Sequence, residues 1–307
     1  MRDAFGRALV DLAGVRDDFV VLDADVAGGT GTAVFREAYP DRFIQCGIAE
    51  QNMMGVAAGL AATGIIPIVT CYAVFAAMRA VEQLRNSIAY PAFNVKVAVS
   101  HLGLDVGPDG ATHQAIEDIA IIRAIPGIVL AAPADPTELA AALPVLLDHP
   151  GPVYLRTGRS PLPTLFDAIH YEIGKGTVVR EGDDVTVMAV GVMVHRALLA
   201  ADLLAADNIS CRVVNISTIK PLDTRMVEQC ARETGCLVTA EDHTIFGGLG
   251  GAVAEAVCDT CPAPVVRVGI QDRYGESGEP EDLARLYGLM PEDIARAAKK
   301  AIQQKKV

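Results

Sequence analysis

Short apolar runs alternate with amphipathic helical patterns along the whole chain, and this alternation narrows the range of possible folds. In residues 19–22 and 95–99, nearly every successive position is apolar. Strands of a parallel sheet that helices cover on both faces have this composition. Helical patterns such as those of residues 51–63 and 73–89 lie between the runs. The sequence therefore predicts an α/β fold with mainly parallel or mixed sheets flanked by helices.

The composition and the periodicity of the sequence change near residue 160. The segment SPLPTLFDAIHYEIGKG is rich in proline and glycine at its ends and has no clear period. A second series of alternating strands and helices follows it. A length of 307 residues is also typical of about two domains. We expect a first domain at residues 1–162, a linker at 163–178 and a second domain at 179–307.

Charge and cysteine content exclude several classes of protein. Lys and Arg number 26 against 38 Asp and Glu, a net charge of −12, which argues against a general nucleic-acid or anionic-membrane surface. The longest uncharged run, residues 53–78, is interrupted by glycines and Pro67, so a helix, a turn and a strand explain it better than a membrane span. Seven scattered cysteines and a charged N-terminal segment without an apolar core predict a cytoplasmic protein.

Polar side chains follow the predicted strands of the first domain. Ligands of open parallel sheets bind where the strands end at their carboxyl edge. The residues that follow these strands include acids, an aromatic residue, a histidine and an arginine: Asp25, Glu50, Tyr72, His101 and Arg159. The sequence thus predicts a ligand site at this edge.

The loop GPDGATHQ, residues 107–114, contains ionisable side chains that a simple connection between two elements does not require. It contains Asp109 and His113, and His101 lies twelve residues before His113. Histidines in such a loop can bind sugar hydroxyls or move protons near pH 7, or they can simply tie the loop down. No carboxylate stands at ligand spacing from them, and the pair Cys258 and Cys261 has no second pair, so we expect no metal site.

Three further residues allow either a functional or a structural interpretation. Glu50 opens a helix among apolar neighbours, where a desolvated carboxyl can share a proton with a ring nitrogen or can merely offset the helix dipole. Arg156 and Arg159, in YLRTGRSP, suit a phosphate or a surface ion pair. Dinucleotide, P-loop, nucleophile-elbow and zinc-protease motifs are absent. The residues alone indicate an α/β enzyme subunit that handles a small anionic substrate.

Four motifs taken together resemble transketolase. They are RFIQCGIAEQNM, the His-x11-His loop that ends in GPDGATHQ, YLRTGRSP and AEDHTIFGGLG. The resemblance runs from Arg2 to at least Glu255 and covers the pyrimidine-binding and C-terminal domains of that family. It implies a thiamine-diphosphate-binding fold followed by a transketolase C-terminal-like domain.

The resemblance implies roles toward the cofactor, thiamine diphosphate. Glu50 stands where the family glutamate bonds N1′ of the pyrimidine and favours the imino tautomer that activates C2. Tyr72 and Phe75 stand where aromatic side chains line the pyrimidine pocket, and Asp25 matches an acid near the cofactor.

The resemblance also implies roles toward the substrate. His101 and His113 match histidines that hold sugar hydroxyls and take part in proton transfer, so the catalytic set is Glu50, His101 and His113. Asp109 matches the aspartate that reads a substrate hydroxyl. Arg159 and Arg2 match arginines that grip the substrate phosphate.

The sequence departs from the family pattern at several positions. A phosphate-binding serine of the longer enzymes appears as Gly29, with Thr30 beside it, and a family tyrosine appears as Met78. Tyr72 replaces the usual phenylalanine, so its hydroxyl needs a partner. His243 lies in a motif that is mainly structural in the family. These departures affect how the substrate phosphate is bound and therefore which sugar is used. The sugar could belong to the pentose phosphate route or to a specialised route.

The GDG…N motif, with which the family binds diphosphate and Mg²⁺, does not occur in the sequence. The chain therefore resembles the C-terminal, or beta, subunit of a split transketolase. An alpha subunit is expected to hold Mg²⁺ and the diphosphate, to share the cofactor and to form an α2β2 assembly, without which the chain is inactive in ketol transfer. The alternatives are a subunit like 1-deoxyxylulose-5-phosphate synthase, one like the beta chain of a 2-oxo-acid dehydrogenase, and a non-catalytic scaffold.

Overall fold

A computed structural model describes residues 1–305 and contains two sheets flanked by helices, which confirms the predicted α/β fold class. The twelve strands are β1 Phe19–Asp23, β2 Phe43–Gln45, β3 Ile66–Tyr72, β4 Lys96–Ser100, β5 Val129–Ala131, β6 Val153–Arg156, β7 Thr177–Arg180, β8 Val185–Ala189, β9 Cys211–Asn215, β10 Thr218–Lys220, β11 Leu237–Thr244 and β12 Val265–Ile270.

The α-helices are α1 Arg2–Ala13, α2 Ala27–Thr30, α3 Ala33–Ala38, α4 Glu50–Ala62, α5 Val81–Gln83, α6 Asp118–Arg123, α7 Pro136–Asp148, α8 Met193–Ala206, α9 Thr224–Thr234, α10 Leu249–Asp259, α11 Pro280–Leu286 and α12 Pro291–Gln304. Among residues 1–305, no helix combines the length and the apolar character that crossing a membrane requires.

The first sheet has seven strands in the order β10-β5-β6-β4-β3-β1-β2. Six of them are parallel, and β10 pairs antiparallel with β5 at one edge. Strand β10 follows the predicted linker, so the chain crosses back and completes the sheet of the first domain. The division at residues 162 and 179 remains a prediction.

The second sheet has five strands in the order β12-β11-β8-β9-β7. All neighbours are parallel except β7, which pairs antiparallel with β9 at the edge. Helices α8 and α12 pack on one face of this sheet, where they bury Ala197, Leu204, Ile294 and Ala298. Because each sheet is covered by helices, the strands are apolar at successive positions, as the sequence predicted.

The prediction of one regular α-helix over residues 73–89 is wrong, because most of this segment is π-helical. The segments Phe75–Arg79 and Leu84–Ala89 are π-helical, and the short helix α5 lies between them. At Ala80 the backbone leaves helical values, with φ −107° and ψ 14°. Apolar spacing over five or six residues cannot distinguish a π turn from an α turn, so the sequence pattern could not reveal this. Segments of this kind occur frequently at functional sites.

Candidate active site

Parallel strands bring the expected residues to one edge of the first sheet. Tyr72 is the last residue of β3, and His101 directly follows β4. Asp25 lies two residues after β1, Glu50 five residues after β2 and Arg159 three residues after β6. Since these five strands run in the same direction, all five residues lie at the carboxyl edge.

Glu50 is a buried carboxylate, only 3% exposed, at the first position of α4. Nη1 of Arg79 donates to both carboxylate oxygens, at 3.1 and 3.0 Å. The guanidinium of Arg79 also lies over the ring of Phe75, 4.4 Å from its centroid. A ring nitrogen could reach Glu50 by sharing the carboxylate with Arg79 or by displacing it, because a carboxylate accepts up to about four hydrogen bonds.

Sequence reasoning did not identify Arg79. Its spacing of four residues from Phe75 is the only local signal, and that spacing predicts a contact within a helix without indicating Glu50. The π-helical segment that ends at Arg79 lies next to α4, and this packing carries the guanidinium to Glu50.

Two histidines and two aromatic rings form one cluster. The rings of Tyr72 and His101 stack with centroids 3.7 Å apart and an interplanar angle of 24°. His113 presents its edge to Phe75 at 5.5 Å and to Tyr72 at 6.3 Å. The loop between the histidines therefore folds back, with left-handed backbone at Gly107 (φ 70°) among others. Neighbouring hydroxyls hold the histidines: Nδ1 of His113 lies 3.0 Å from Oγ1 of Thr112.

His101 has an unusual backbone conformation and an unusually low side-chain pKa. Its φ of 59° is left-handed, which is uncommon for a residue other than glycine and is often found at functional sites. Its side chain is only 2% exposed, and Nδ1 lies 2.9 Å from Oγ of Ser100. Burial, together with the positive charge of Arg159, lowers the pKa of His101 to about 4. At neutral pH the imidazole is uncharged and offers one hydrogen-bond donor and one acceptor.

A charged group borders this cluster. Nη1 of Arg159 donates to Oδ2 of Asp109 at 3.3 Å and also to the carbonyl of Val106. The same carboxylate oxygen lies 4.0 Å from Nε2 of His101. Arg2 pairs with Asp3 at 3.7 Å. Arg159 and Arg2 are both close enough to lower the pKa of His101 after the larger effect of burial, so their positive charge reaches the site.

Other candidate positions have structural partners. Arg156 is 4% exposed and donates twice to the carboxylate of Asp118, at 2.9 and 3.2 Å, so it forms a buried ion pair instead of the surface pair or the phosphate contact that the sequence suggested. His243 is buried, and its Nδ1 lies 2.7 Å from the carbonyl of Thr244, in keeping with a structural role. Asp25 is exposed, and its backbone N–H donates to Gln45 at 3.0 Å.

The cluster combines groups whose chemistry suits a heteroaromatic ring. A buried carboxylate at Glu50 can bond a ring nitrogen, and Phe75 and Tyr72 provide apolar faces beside it. Within residues 1–305, no three His, Cys, Asp or Glu side chains are grouped so that they could hold a metal ion.

Both halves of the chain match known family models. Residues 1–164 match the transketolase pyrimidine-binding domain, and residues 174–294 match the transketolase C-terminal domain. The chain is 42% identical over 300 residues to a putative transketolase C-terminal section of Methanocaldococcus jannaschii, with 96% of this chain and 94% of that protein covered.

Two more relatives extend the comparison. A 6-deoxy-6-sulfo-D-fructose transketolase subunit of Clostridium sp. strain MSTE9 is 41% identical, with 99% of this chain and 95% of that protein covered. A solved structure described as a split gene transketolase, inactive beta4 tetramer, has a TM-score of 0.93 and 47% identity, and 99% of each chain is covered.

Proposed function

This chain belongs to the transketolase family, and we propose that it is the C-terminal (beta) subunit of a split transketolase that transfers a two-carbon ketol unit from a ketose phosphate to an aldose phosphate. One observation carries the proposal. A buried carboxylate, two histidines and two aromatic rings lie together at the carboxyl edge of the first sheet. This arrangement provides a pyrimidine site beside groups that bind hydroxyls.

Thiamine diphosphate, when bound, supplies the electron sink for cleaving the bond beside the ketose carbonyl. Glu50 would hold a proton at N1′ of the pyrimidine, and Phe75 and Tyr72 would enclose the ring. Asp25 lies at the same edge, next to the glycine turn, where it can contact the cofactor.

The remaining side chains act on the sugar. Neutral His101 donates or accepts a hydrogen bond at a substrate hydroxyl, and His113 moves a proton between hydroxyl and carbonyl oxygens. Asp109 accepts a bond from a substrate hydroxyl. Arg159 and Arg2 bind the terminal phosphate, since guanidinium groups suit tetrahedral oxyanions.

The other half of the site would come from a partner. An alpha subunit with the diphosphate- and Mg²⁺-binding domain would share the cofactor, and two copies of each chain would form a cytoplasmic α2β2 enzyme. The solved relative is described as an inactive tetramer of beta chains, which supports a requirement for a second chain.

A coupled ketol-transfer assay tests this function. Xylulose 5-phosphate and ribose 5-phosphate are incubated with thiamine diphosphate and Mg²⁺, first with this chain alone and then with the alpha chain added. We expect turnover in the mixture and none with this chain alone. Turnover by this chain alone would contradict the need for a partner.

The same assay separates the alternatives. Turnover of pyruvate with glyceraldehyde 3-phosphate in the mixture, without ketol transfer, would identify a synthase like that of 1-deoxyxylulose 5-phosphate. Full turnover of a Glu50→Ala variant in the mixture would indicate that this chain is only a scaffold.

A further inference from the structure

The hydroxyl of Tyr72 occupies the space beside Gly29. A Cβ atom built on Gly29 would lie 2.3 Å from the hydroxyl oxygen of Tyr72, 2.7 Å from its Cε1 and 2.9 Å from its Cζ. These distances are shorter than the van der Waals contact distance between such atoms. No side chain therefore fits at residue 29 while the Tyr72 ring stays where it is. The absence of a side chain at residue 29 and the presence of a hydroxyl at residue 72 are therefore sterically linked.

Both members of this pair are held in place. The ring of Tyr72 stacks on His101, and Tyr72 is the last residue of the internal strand β3. The carbonyl of Gly29 accepts a hydrogen bond from Oγ of Ser100 at 3.2 Å, and the N–H of Gly29 donates to the carbonyl of Val26 at 2.8 Å. The hydroxyl thus has a defined position beside Gly29.

This hydroxyl has no partner among residues 1–305 with which it forms a hydrogen bond, although the ring is half-buried. Burial raises the pKa of Tyr72, as does the nearby charge of Asp109, so the hydroxyl keeps its proton at neutral pH. Tyr72 stacks on His101, and His101 lies 4.0 Å from the Asp109 carboxylate that Arg159 binds at 3.3 Å. The backbone carbonyl of Arg2 lies against Gly31, two residues after Gly29, 2.2 Å from where a Cβ would stand. An unused donor therefore lies in the part of the site that Arg159 and Arg2 border.

We propose that the Tyr72 hydroxyl donates a hydrogen bond to the terminal anionic group of the sugar, a phosphate or sulfonate, and that Gly29 is required to make room for it. The proposal rests on the proposed function and adds a residue that determines specificity. Arg159 and Arg2 supply charge, whereas the hydroxyl supplies a directed donor at a fixed position. A hydrogen bond to a charged oxygen changes affinity by roughly ten- to hundredfold.

Tyr72→Phe in the assembled two-subunit enzyme removes the donor and keeps the ring. We expect the KM for xylulose 5-phosphate to rise about tenfold or more. The KM for L-erythrulose, a donor without an anionic group, should change several-fold less. Inorganic phosphate and methanesulfonate, used as competitive inhibitors, show which anion the site prefers, and Tyr72→Phe should weaken the preferred one by a similar factor.

A double-mutant cycle tests the steric part. Gly29→Ala should displace Tyr72 and raise the KM for xylulose 5-phosphate in the wild-type background. The same change should have a smaller effect in the Tyr72→Phe background, because the closest of the three contacts is then absent. Gly28→Ala is the matched control: a Cβ at Gly28 meets no atom within 4 Å, so this variant should behave like the wild type.

Equal losses for phosphorylated and neutral donors in Tyr72→Phe would overturn the proposal and assign Tyr72 to the cofactor pocket alone. An unchanged KM for both donors would overturn it as well. If the wild-type mixture transfers no ketol unit, the proposed function fails instead. In that case, calorimetric titration of the same complexes with inorganic phosphate tests the hydroxyl contact separately. Equal affinity of the wild type and of Tyr72→Phe for phosphate would contradict the contact.

Discussion

Glu50 illustrates how one buried charge depends on one neighbour. With 3% of its surface exposed, the carboxylate cannot rely on water, and Arg79 provides two hydrogen bonds to it. A buried charge without a partner is costly. Arg79 therefore stabilises the cofactor-free subunit, even though its own side chain is half exposed.

Arg79→Gln should lower the free energy of unfolding of the isolated chain by about 1 kcal/mol, since Glu50 loses a charged partner that is itself partly solvated. Urea denaturation measures the change. Arg85→Gln, in the second π-helical segment, serves as the control, because within residues 1–305 its side chain donates only to exposed Asn86. Equal stability of the two variants would show that the pair at Glu50 contributes nothing.

His113→Asn should lower kcat of the two-subunit enzyme by roughly 10²- to 10⁴-fold, the usual contribution of a general acid–base group. The asparagine keeps a polar side chain beside Thr112 but cannot carry the proton. His170→Asn, at an exposed position within the predicted linker, should leave kcat unchanged. A loss confined to KM would indicate that His113 only binds substrate.

The sequence predicted part of the site at this scale. The strand ends were sufficient to predict that Tyr72 and His101 lie at one edge, because a parallel sheet fixes where its strands end. Arg79 and the contact between Tyr72 and Gly29 depend on side chains from different elements, and no local pattern encodes them.

At the scale of elements, the junction of β11 and α10 contains a buried acid. The backbone N–H groups of Leu249 and Gly250 donate to Glu241 at 2.7 and 2.8 Å, so its carboxylate caps the first turn of α10. Burial raises the pKa of Glu241 to about 7. The folded protein therefore holds this proton up to about pH 7, whereas the unfolded chain releases it near pH 4.5.

Because the folded-state pKa is the higher one, the contribution of Glu241 to stability is present below pH 4.5 and is lost as pH rises toward 7. Glu241→Gln removes this loss. The free energy of unfolding of the variant, relative to wild type, should rise by about 1–3 kcal/mol between pH 5 and 7.5. Urea denaturation at both pH values measures it, with exposed Glu292→Gln as the control. A pH-independent difference would show that Glu241 is ionised throughout.

At the scale of the whole molecule, strand β10 joins the two halves of the chain. It leaves the second half, pairs with β5, and positions Nζ of Lys220 to donate to the carbonyls of Arg123 and Ile125. The sequence did not predict this strand, because three residues that follow a strand of another sheet carry too little periodicity to assign. The alternating apolar pattern predicted the two sheets, but pairing between distant segments is a tertiary property.

Differential scanning calorimetry should show one cooperative unfolding transition, since the two halves share a sheet. Lys220→Ala should lower the midpoint of that single transition by about 1–2 °C, as expected for a loss of roughly 1 kcal/mol in a chain of this length. Lys175→Ala, at an exposed lysine, should leave the midpoint unchanged. Two separate transitions, of which Lys220→Ala shifts only one, would show that the halves unfold independently.

The central claim is that this chain holds one half of a cofactor site. Calorimetric titration with thiamine diphosphate and Mg²⁺ tests it most directly, with this chain alone and with the alpha chain added. Several charge-assisted contacts to the diphosphate would come from the partner, so the mixture should bind the cofactor at least about a hundredfold more tightly. Equal affinity of this chain alone and of the mixture would contradict the account.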